Sequence, residues 1–183
     1  MAYDSRPDTL EHIGRVRLHL GCALTELRHR ADTHDASKLE EPELSMFNEY
    51  TPKLRDIEYG SKEYEQCRVA MGEALEHHYA ANSHHPEHYP NGIAGMSLID
   101  LLEMLCDWKA ASERPVKRPA MPAAPGRAPA PEYDSSFYRS IALNQERFGY
   151  SDELRSILEN TVTELGFSTD RPMPGQSVDG GRR

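Results

Sequence analysis

The sequence is poor in the features that commit a chain to most familiar protein classes. It holds three cysteines in 183 residues, Cys22, Cys67 and Cys106, with no CxxC pair. An odd, widely spaced set excludes a disulfide framework and predicts buried thiols in a reducing compartment. Long apolar runs are missing too. The best stretch, Leu98 to Cys106, is short and carries two acids, too little to span a bilayer. Residues 1–11 have no basic stretch followed by an apolar one, so no signal peptide is expected and the chain reads as cytoplasmic. Cations are outnumbered, 21 Lys and Arg against 30 Asp and Glu, for a net charge of −9. That argues against a general nucleic-acid coat, which needs clustered cations, but tolerates a small anionic substrate in a pocket lined by a metal and a few bases. No alternation of β-branched residues marks a sheet, and no internal repeat occurs. A glycine-rich phosphate loop, an HExxH pair and a Ser or Cys nucleophile motif are absent as well.

What is present is helical periodicity. Asp8-Thr9-Leu10-Glu11 looks like a capping box, and Ile13, Val16, Leu20, Leu24 and Leu27 follow at steps of three and four, which predicts a helix from Thr9 to Arg30. Pro42 suits the start of a second helix that stops or breaks near Thr51-Pro52. A third runs from Lys62 to Ala80 after a Ser61 cap, and a fourth from the Ser97 cap to Ser112. The segments Ser135 to Arg147 and Ser151 to Leu165 predict two more around a Phe148-Gly149-Tyr150 turn. The expected fold is all-α, one bundle of about six helices. Residues 1–113 form the core, and 133–167 a helix pair packing on it. Six prolines in residues 114–131 make 114–132 a linker or insertion, and 168–183 reads as a disordered tail.

The chemistry lies in the nine histidines and in one acidic stripe. His34-Asp35 is followed by Lys38. His77-His78 and His84-His85 place four histidines within nine positions, with Glu87 and His88 close behind. Asp100, Glu103 and Asp107 stand at i, i+3 and i+7 on a fourth helix that is apolar nearly all round, and so is expected to be buried. Buried carboxylates need a counter-charge or a metal, and imidazole with carboxylate is the ligand chemistry of Zn, Mn, Fe, Ni and Co, the carboxylates suiting Mg as well. On the third helix His78 continues the Met71-Ala74-Leu75 face and points inward, whereas His77 falls beside Glu73. The alternative for each is bland: a core histidine satisfied by hydrogen bonds, a solvated acidic face, or Lys38 paired with Glu41. Glu41 and Glu87 are candidate general acids or bases.

These residues resemble a known group. The string His-Asp-x-x-Lys, a later histidine cluster and a final Asp on a buried helix are similar to the HD superfamily of metal-dependent phosphohydrolases. Thr33 to Ser112 is more similar still to an uncharacterised family of small bacteriophage proteins, through HDASK, Glu49 to Leu54, EHHY at Glu76 to Tyr79, HHPEH at His84 to His88 and CDWKA at Cys106 to Ala110. The resemblance implies a helical bundle whose His34, Asp35, His78, His85 and Asp107 hold one or two divalent ions, with Asp35, Lys38 and Glu87 serving catalysis. HD enzymes also draw a ligand from a preceding helix, where His12, His19 and His29 are the candidates. His12 and Arg30 of one straight helix lie about 27 Å apart, at roughly 1.5 Å per residue, which favours completion of the site by His78 and His85.

The expected function is hydrolysis of a nucleotide or similar small phosphate ester, with a divalent metal (Mn, Mg, Zn, Ni, Co or Fe) as cofactor. Two rivals stand beside it: a diiron oxygenase on the same scaffold, and a binding module stabilised by a His/Asp network. No membrane partner is expected, and a Tyr-rich C-terminal helix pair leaves a homodimer open.

Overall fold

The computed structural model describes residues 3–55, 57, 60–113 and 137–167. Among them there is no strand. Six α-helices carry the fold: α1 (Arg6–Thr33), α2 (Glu43–Leu54), α3 (Lys62–Ala81), α4 (Leu98–Ser112), α5 (Phe137–Phe148) and α6 (Asp152–Glu164). Short 3-10 turns occupy Ala36–Leu39, Pro86–His88 and Gly92–Gly95. The chain is all-α with about six helices, as its periodicity predicts. The expected linker at 114–132 and tail at 168–183 lie outside the described residues. No described helix is long and apolar enough to cross a membrane. The described residues fall into two compact units, divided along the chain within α4, the first running to Cys106 and the second starting at Asp107.

In the first unit α1 starts two residues ahead of the expected capping box, at Arg6, with Pro7 in its first turn. Proline is tolerated there because its missing N–H has no intrahelical partner to lose. The α1 stripe behaves differently from its pattern. Leu10, Ile13, Val16, Leu20 and Leu24 are exposed and the helix buries no residue. Its role in the site comes from its C-terminal end, at Arg30 and the turn beyond it. Helix α2 continues through Pro52 to Leu54, because a proline so close to the end disturbs only the last turn. Helix α3 is capped by Ser61, whose Oγ accepts from the Tyr64 N–H at 3.1 Å. It kinks at Gly72 (φ 44°, ψ −120°), between buried Met71 and Ala74. A side chain at that φ would be strained.

Helix α4 opens with a reciprocal cap. Ser97 Oγ accepts from the Asp100 N–H at 3.1 Å, and the Asp100 carboxylate accepts from the Ser97 N–H at 2.9 Å. The expectation that α4 is buried all round needs correction. Met104 and Leu105 are buried, but Leu98 and Cys106 face out. The thiols are likewise less buried than their spacing suggests: Cys22 and Cys106 are exposed and Cys67 is half-buried, with no disulfide among them. Cys22 lies on α1, which buries nothing.

In the second unit α5 and α6 form a hairpin around Gly149, whose φ of 65° fits the left-handed residue that ends many helices. Ser151 caps α6, its Oγ accepting from the Leu154 N–H at 3.3 Å. Phe137, Ile141, Tyr150, Leu158 and Val162 fill its core, and Trp108 stacks on Phe148 at 6.3 Å. Each fully buried apolar side chain contributes roughly 1.5–3 kcal/mol. Tyr150 also donates its hydroxyl to the Ile141 carbonyl at 2.5 Å. Burial pushes its pKa above the ordinary 10, a rise that Arg155 opposes and Glu159 reinforces. Because the folded pKa is the higher one, its contribution is complete below about pH 10 and is lost as pH rises beyond it. Tyr150→Phe is expected to cost about 0.5–1.5 kcal/mol at neutral pH. The gap to wild type should shrink in melts followed by circular dichroism from pH 9 to 11; a constant gap would count against the buried phenol.

Candidate metal centre

The centre is organised by the turn that ends α1. His34 leaves the helix (φ −50°, ψ 126°) and Asp35 takes a left-handed conformation at φ 55°, which Asp adopts more readily than most residues. The Ala36–Leu39 turn then returns the chain, and Lys38 comes back over Asp35, its Nζ 2.5 Å from Oδ2. Lys38 also stands 4.9 Å from the centre of the Phe47 ring. Asp35 is therefore anchored by one oxygen and presents the other.

Asp35 Oδ1 is buried and accepts no hydrogen bond. It faces His78 Nε2 at 3.5 Å and His84 Nε2 at 3.6 Å, and His85 Nε2 lies 2.8 Å from His78 Nε2. Ligand atoms of Asp35, His78, His84 and His85 all lie within 4.8 Å of one another. Bonds of about 2.1 Å place neighbouring ligands about 3.4 Å apart in a tetrahedron and about 3.0 Å apart in an octahedron. The observed separations fall around these values. Burial raises the Asp35 pKa, but the Lys38 charge and bond, with His34 and His78 nearby, outweigh it and hold the carboxyl below its usual range. His78 is pushed down by burial first and by Lys38 second, against the pull of Asp35 and Glu43, so it favours the neutral form that binds metals.

Behind the imidazoles stand two glutamates. Glu43, fully buried at the start of α2, accepts from His77 Nδ1 at 2.7 Å and from His78 Nδ1 at 2.9 Å through separate oxygens. Burial would raise its pKa, but the bonds from His77, Ser37 and His78 outweigh it and leave the carboxyl below the usual range. Glu103 on α4 accepts from His34 Nδ1 at 2.9 Å and lies 3.2 Å from His84 Nδ1, both through Oε1. An open cleft of about 340 Å³ adjoins His84, lined among others by His29, Thr33, Ser37, Asn82 and Ser83.

Asp100 is a different kind of acid. Its two oxygens accept from Ser83 Oγ (2.7 Å), Tyr89 Oη (2.8 Å), Ser97 N and Oγ (2.9 and 2.7 Å) and Arg30 Nη1 (3.0 Å). Burial raises its pKa, yet the Ser97 and Ser83 bonds more than reverse that and drive it well below the carboxylate range. With its acceptors filled, Asp100 ties α1, α4 and the loop after α3 together.

The structure thus brings Asp35, His78 and His85 of the expected ligands into one cluster and adds His84. It sets His34, also an expected ligand, in a second such group with His84 and Glu103, whose ligand atoms likewise lie within 4.8 Å of one another. His34 stacks beside His84 with ring centroids 4.5 Å apart, its Nε2 3.5 Å from Asp35 Oδ2. Asp107 begins the second unit, one helical turn past Glu103 on α4. Lys38 pairs with Asp35 and not with Glu41, which accepts from Ser45. Glu87 is exposed on the Pro86–His88 turn, outside the cluster, and His12, His19 and His29 are exposed on α1. Glu43 went unrecognised in the sequence. Its only signal is an acid one turn-residue after Pro42, and nothing local says that His77 and His78 will meet it.

The fold and this cluster define an all-α protein with a carboxylate–imidazole group fit for a metal ion. Residues 1–164 match the Family of unknown function (DUF5662), and the chain belongs to that family. No curated protein and no solved structure matches it.

Proposed function

We propose that the cluster is a mononuclear divalent-metal centre and that the protein hydrolyses a small phosphate ester, with a nucleotide as the expected substrate class. The observation that carries this reading is Asp35 Oδ1, a buried carboxylate oxygen with no hydrogen bond, set among three imidazole Nε2 atoms. Such an oxygen is costly to bury and gains most from a cation. When bound, the ion supplies a water acidified to near-neutral pKa and a Lewis acid for a phosphoryl oxygen. Asp35, His78, His84 and His85 would hold it. Asp107 stays a proposed further carboxylate ligand, one helical turn past Glu103 on α4. Lys38 occupies Asp35 Oδ2, which leaves Asp35 one oxygen for an ion, and its ammonium stands beside the centre as a cation for a substrate phosphate. The similarity of HDASK and the later motifs to HD phosphohydrolases agrees with this reading.

A second reading is favoured by the ligand count. Four protein ligands fill a tetrahedral zinc site, and a filled site is structural. An ion that takes six ligands leaves two positions for water and substrate. The metal therefore separates the two readings. Loaded with Mn, Fe, Co or Ni in turn, the protein should turn over p-nitrophenyl phosphate, its bis-ester or a nucleoside monophosphate. Zinc loading that raises the melting temperature, with no turnover under any metal, would support the structural reading and sink hydrolysis. Lys38→Met should lower kcat/KM about 10²–10³-fold, the effect of losing one positioned charge donor, while metal binds at least as tightly. Unchanged turnover in that variant would remove Lys38 from the substrate site.

A further inference from the structure

We infer that Glu103 is a positioning residue that fixes the tautomer of His34 and His84, so that each presents a bare Nε2 to Asp35. The consequence for metal binding rests on the metal-centre reading; the tautomer itself belongs to the metal-free chain.

Glu103 is nearly buried, its side chain 10% exposed, and its two oxygens have separate duties. Oε2 accepts from Arg30 Nη1 at 3.1 Å. Oε1 accepts from His34 Nδ1 at 2.9 Å and lies within 3.2 Å of His84 Nδ1. A carboxylate oxygen only accepts, and a neutral imidazole has one hydrogen to place. Each ring stands nearer Glu103 through Nδ1 than Asp35 through Nε2, at 2.9 against 3.5 Å for His34 and 3.2 against 3.6 Å for His84, so the hydrogen goes to Nδ1 in both. Both Nε2 atoms are then lone pairs. His84 Nε2 faces Asp35 Oδ1 across 3.6 Å and His34 Nε2 faces Oδ2 across 3.5 Å. Glu43 repeats the device for His78. There the two amide hydrogens of Asn82 go to Ser37 Oγ and the His78 carbonyl, both at 2.8 Å, which leaves His78 Nδ1 to donate to Glu43. Outer carboxylates of this kind orient ligating histidines in metal sites.

Arg30 makes Glu103 the decisive position, because it has no acceptor atom. In Glu103→Gln the amide oxygen must face Arg30, so the NH₂ group faces both Nδ1 atoms. Each Nδ1 becomes an acceptor and the ring hydrogen moves to Nε2, where it donates to Asp35 and blocks ligation. The substitution is isosteric and closes the metal-free centre with new hydrogen bonds. A purely structural Glu103 predicts the reverse pattern: a lower melting temperature and unchanged metal affinity.

The test uses the full chain with ¹⁵N-labelled histidine at pH 8, metal-free, followed by zinc titration. Wild type is expected to show His34 and His84 as Nδ1–H tautomers and Glu103→Gln to show them as Nε2–H. Zinc affinity should fall about 10–100-fold in the variant, with a melting temperature no lower than wild type. An Nε2–H tautomer for His84 in wild type overturns the inference, and it needs no variant to be read. Equal zinc affinity in a folded variant overturns it as well. So do two ions per wild-type chain falling to one in the variant, since Glu103 would then be a ligand itself. Wild type that takes no zinc contradicts the metal centre and leaves the tautomer assignment standing.

Discussion

Asp35→Asn is expected to empty the metal centre while leaving the protein folded. Asn is among the few residues at ease at the left-handed φ of 55° that position 35 requires, so the turn after α1 survives. The charge does not. With its amide oxygen towards Lys38, the NH₂ group replaces Oδ1 and points at His78 Nε2 and His84 Nε2, which lie 3.5 and 3.6 Å from that oxygen. A buried oxygen without a hydrogen bond becomes a donor with two acceptors in reach. Metal affinity should drop by more than the roughly 10–100-fold that follows loss of an outer-shell partner. The metal-free variant should melt at or above metal-free wild type, the familiar gain when a strained functional group is neutralised. Calorimetric metal titration with paired melts checks both halves; a variant that binds metal normally would remove Asp35 from the ligand set.

The second large effect concerns stability. Asp100 is 3% exposed and accepts from four side chains, among them the guanidinium of Arg30. Asp100→Ala leaves Ser83, Tyr89 and Ser97 without their acceptor, while Arg30 keeps Glu26 and Glu103. At about 1–3 kcal/mol for each stranded donor, the loss is about 3–5 kcal/mol. For a chain of this length that is about 6–20 °C in melting temperature. The contribution is present at neutral pH, because the folded pKa lies below the unfolded value of 3.8, and it is lost as pH falls through the folded value. The wild-type advantage should therefore hold from pH 8 to about 5 and shrink in stronger acid. A loss under 1 kcal/mol at pH 7 would mean that water replaces the carboxylate without penalty.

Much of this architecture can be read along the chain, because helix periodicity and capping are local. Ser61, Ser97 and Ser151 stand where helices begin, and His78 points inward because it continues the Met71 and Ala74 face. The site is only half legible for the opposite reason. His84 and His85 lie in a loop after α3 ends at Ala81, where no period says which ring turns inward, and both do. Glu43 and Glu103 matter through contacts 34 to 69 residues away in sequence, which no spacing rule encodes. The i, i+3 stripe of Asp100 and Glu103 announces buried acids but not their different jobs: one filled by donors, the other turned towards two imidazoles. The α1 stripe misleads in its own way, since an amphipathic pattern marks a face able to pack and not one that the described chain covers.

The decisive measurement is the metal content of the purified full-length protein after equilibration with Mn, Fe, Co, Ni and Zn and removal of unbound ions, read by elemental mass spectrometry with Asp35→Asn alongside. One tightly held ion per wild-type chain, absent from the variant, is the predicted result. A wild-type protein that retains no ion under any of these conditions would contradict it, and would make the histidines and carboxylates of the first unit a hydrogen-bonded core.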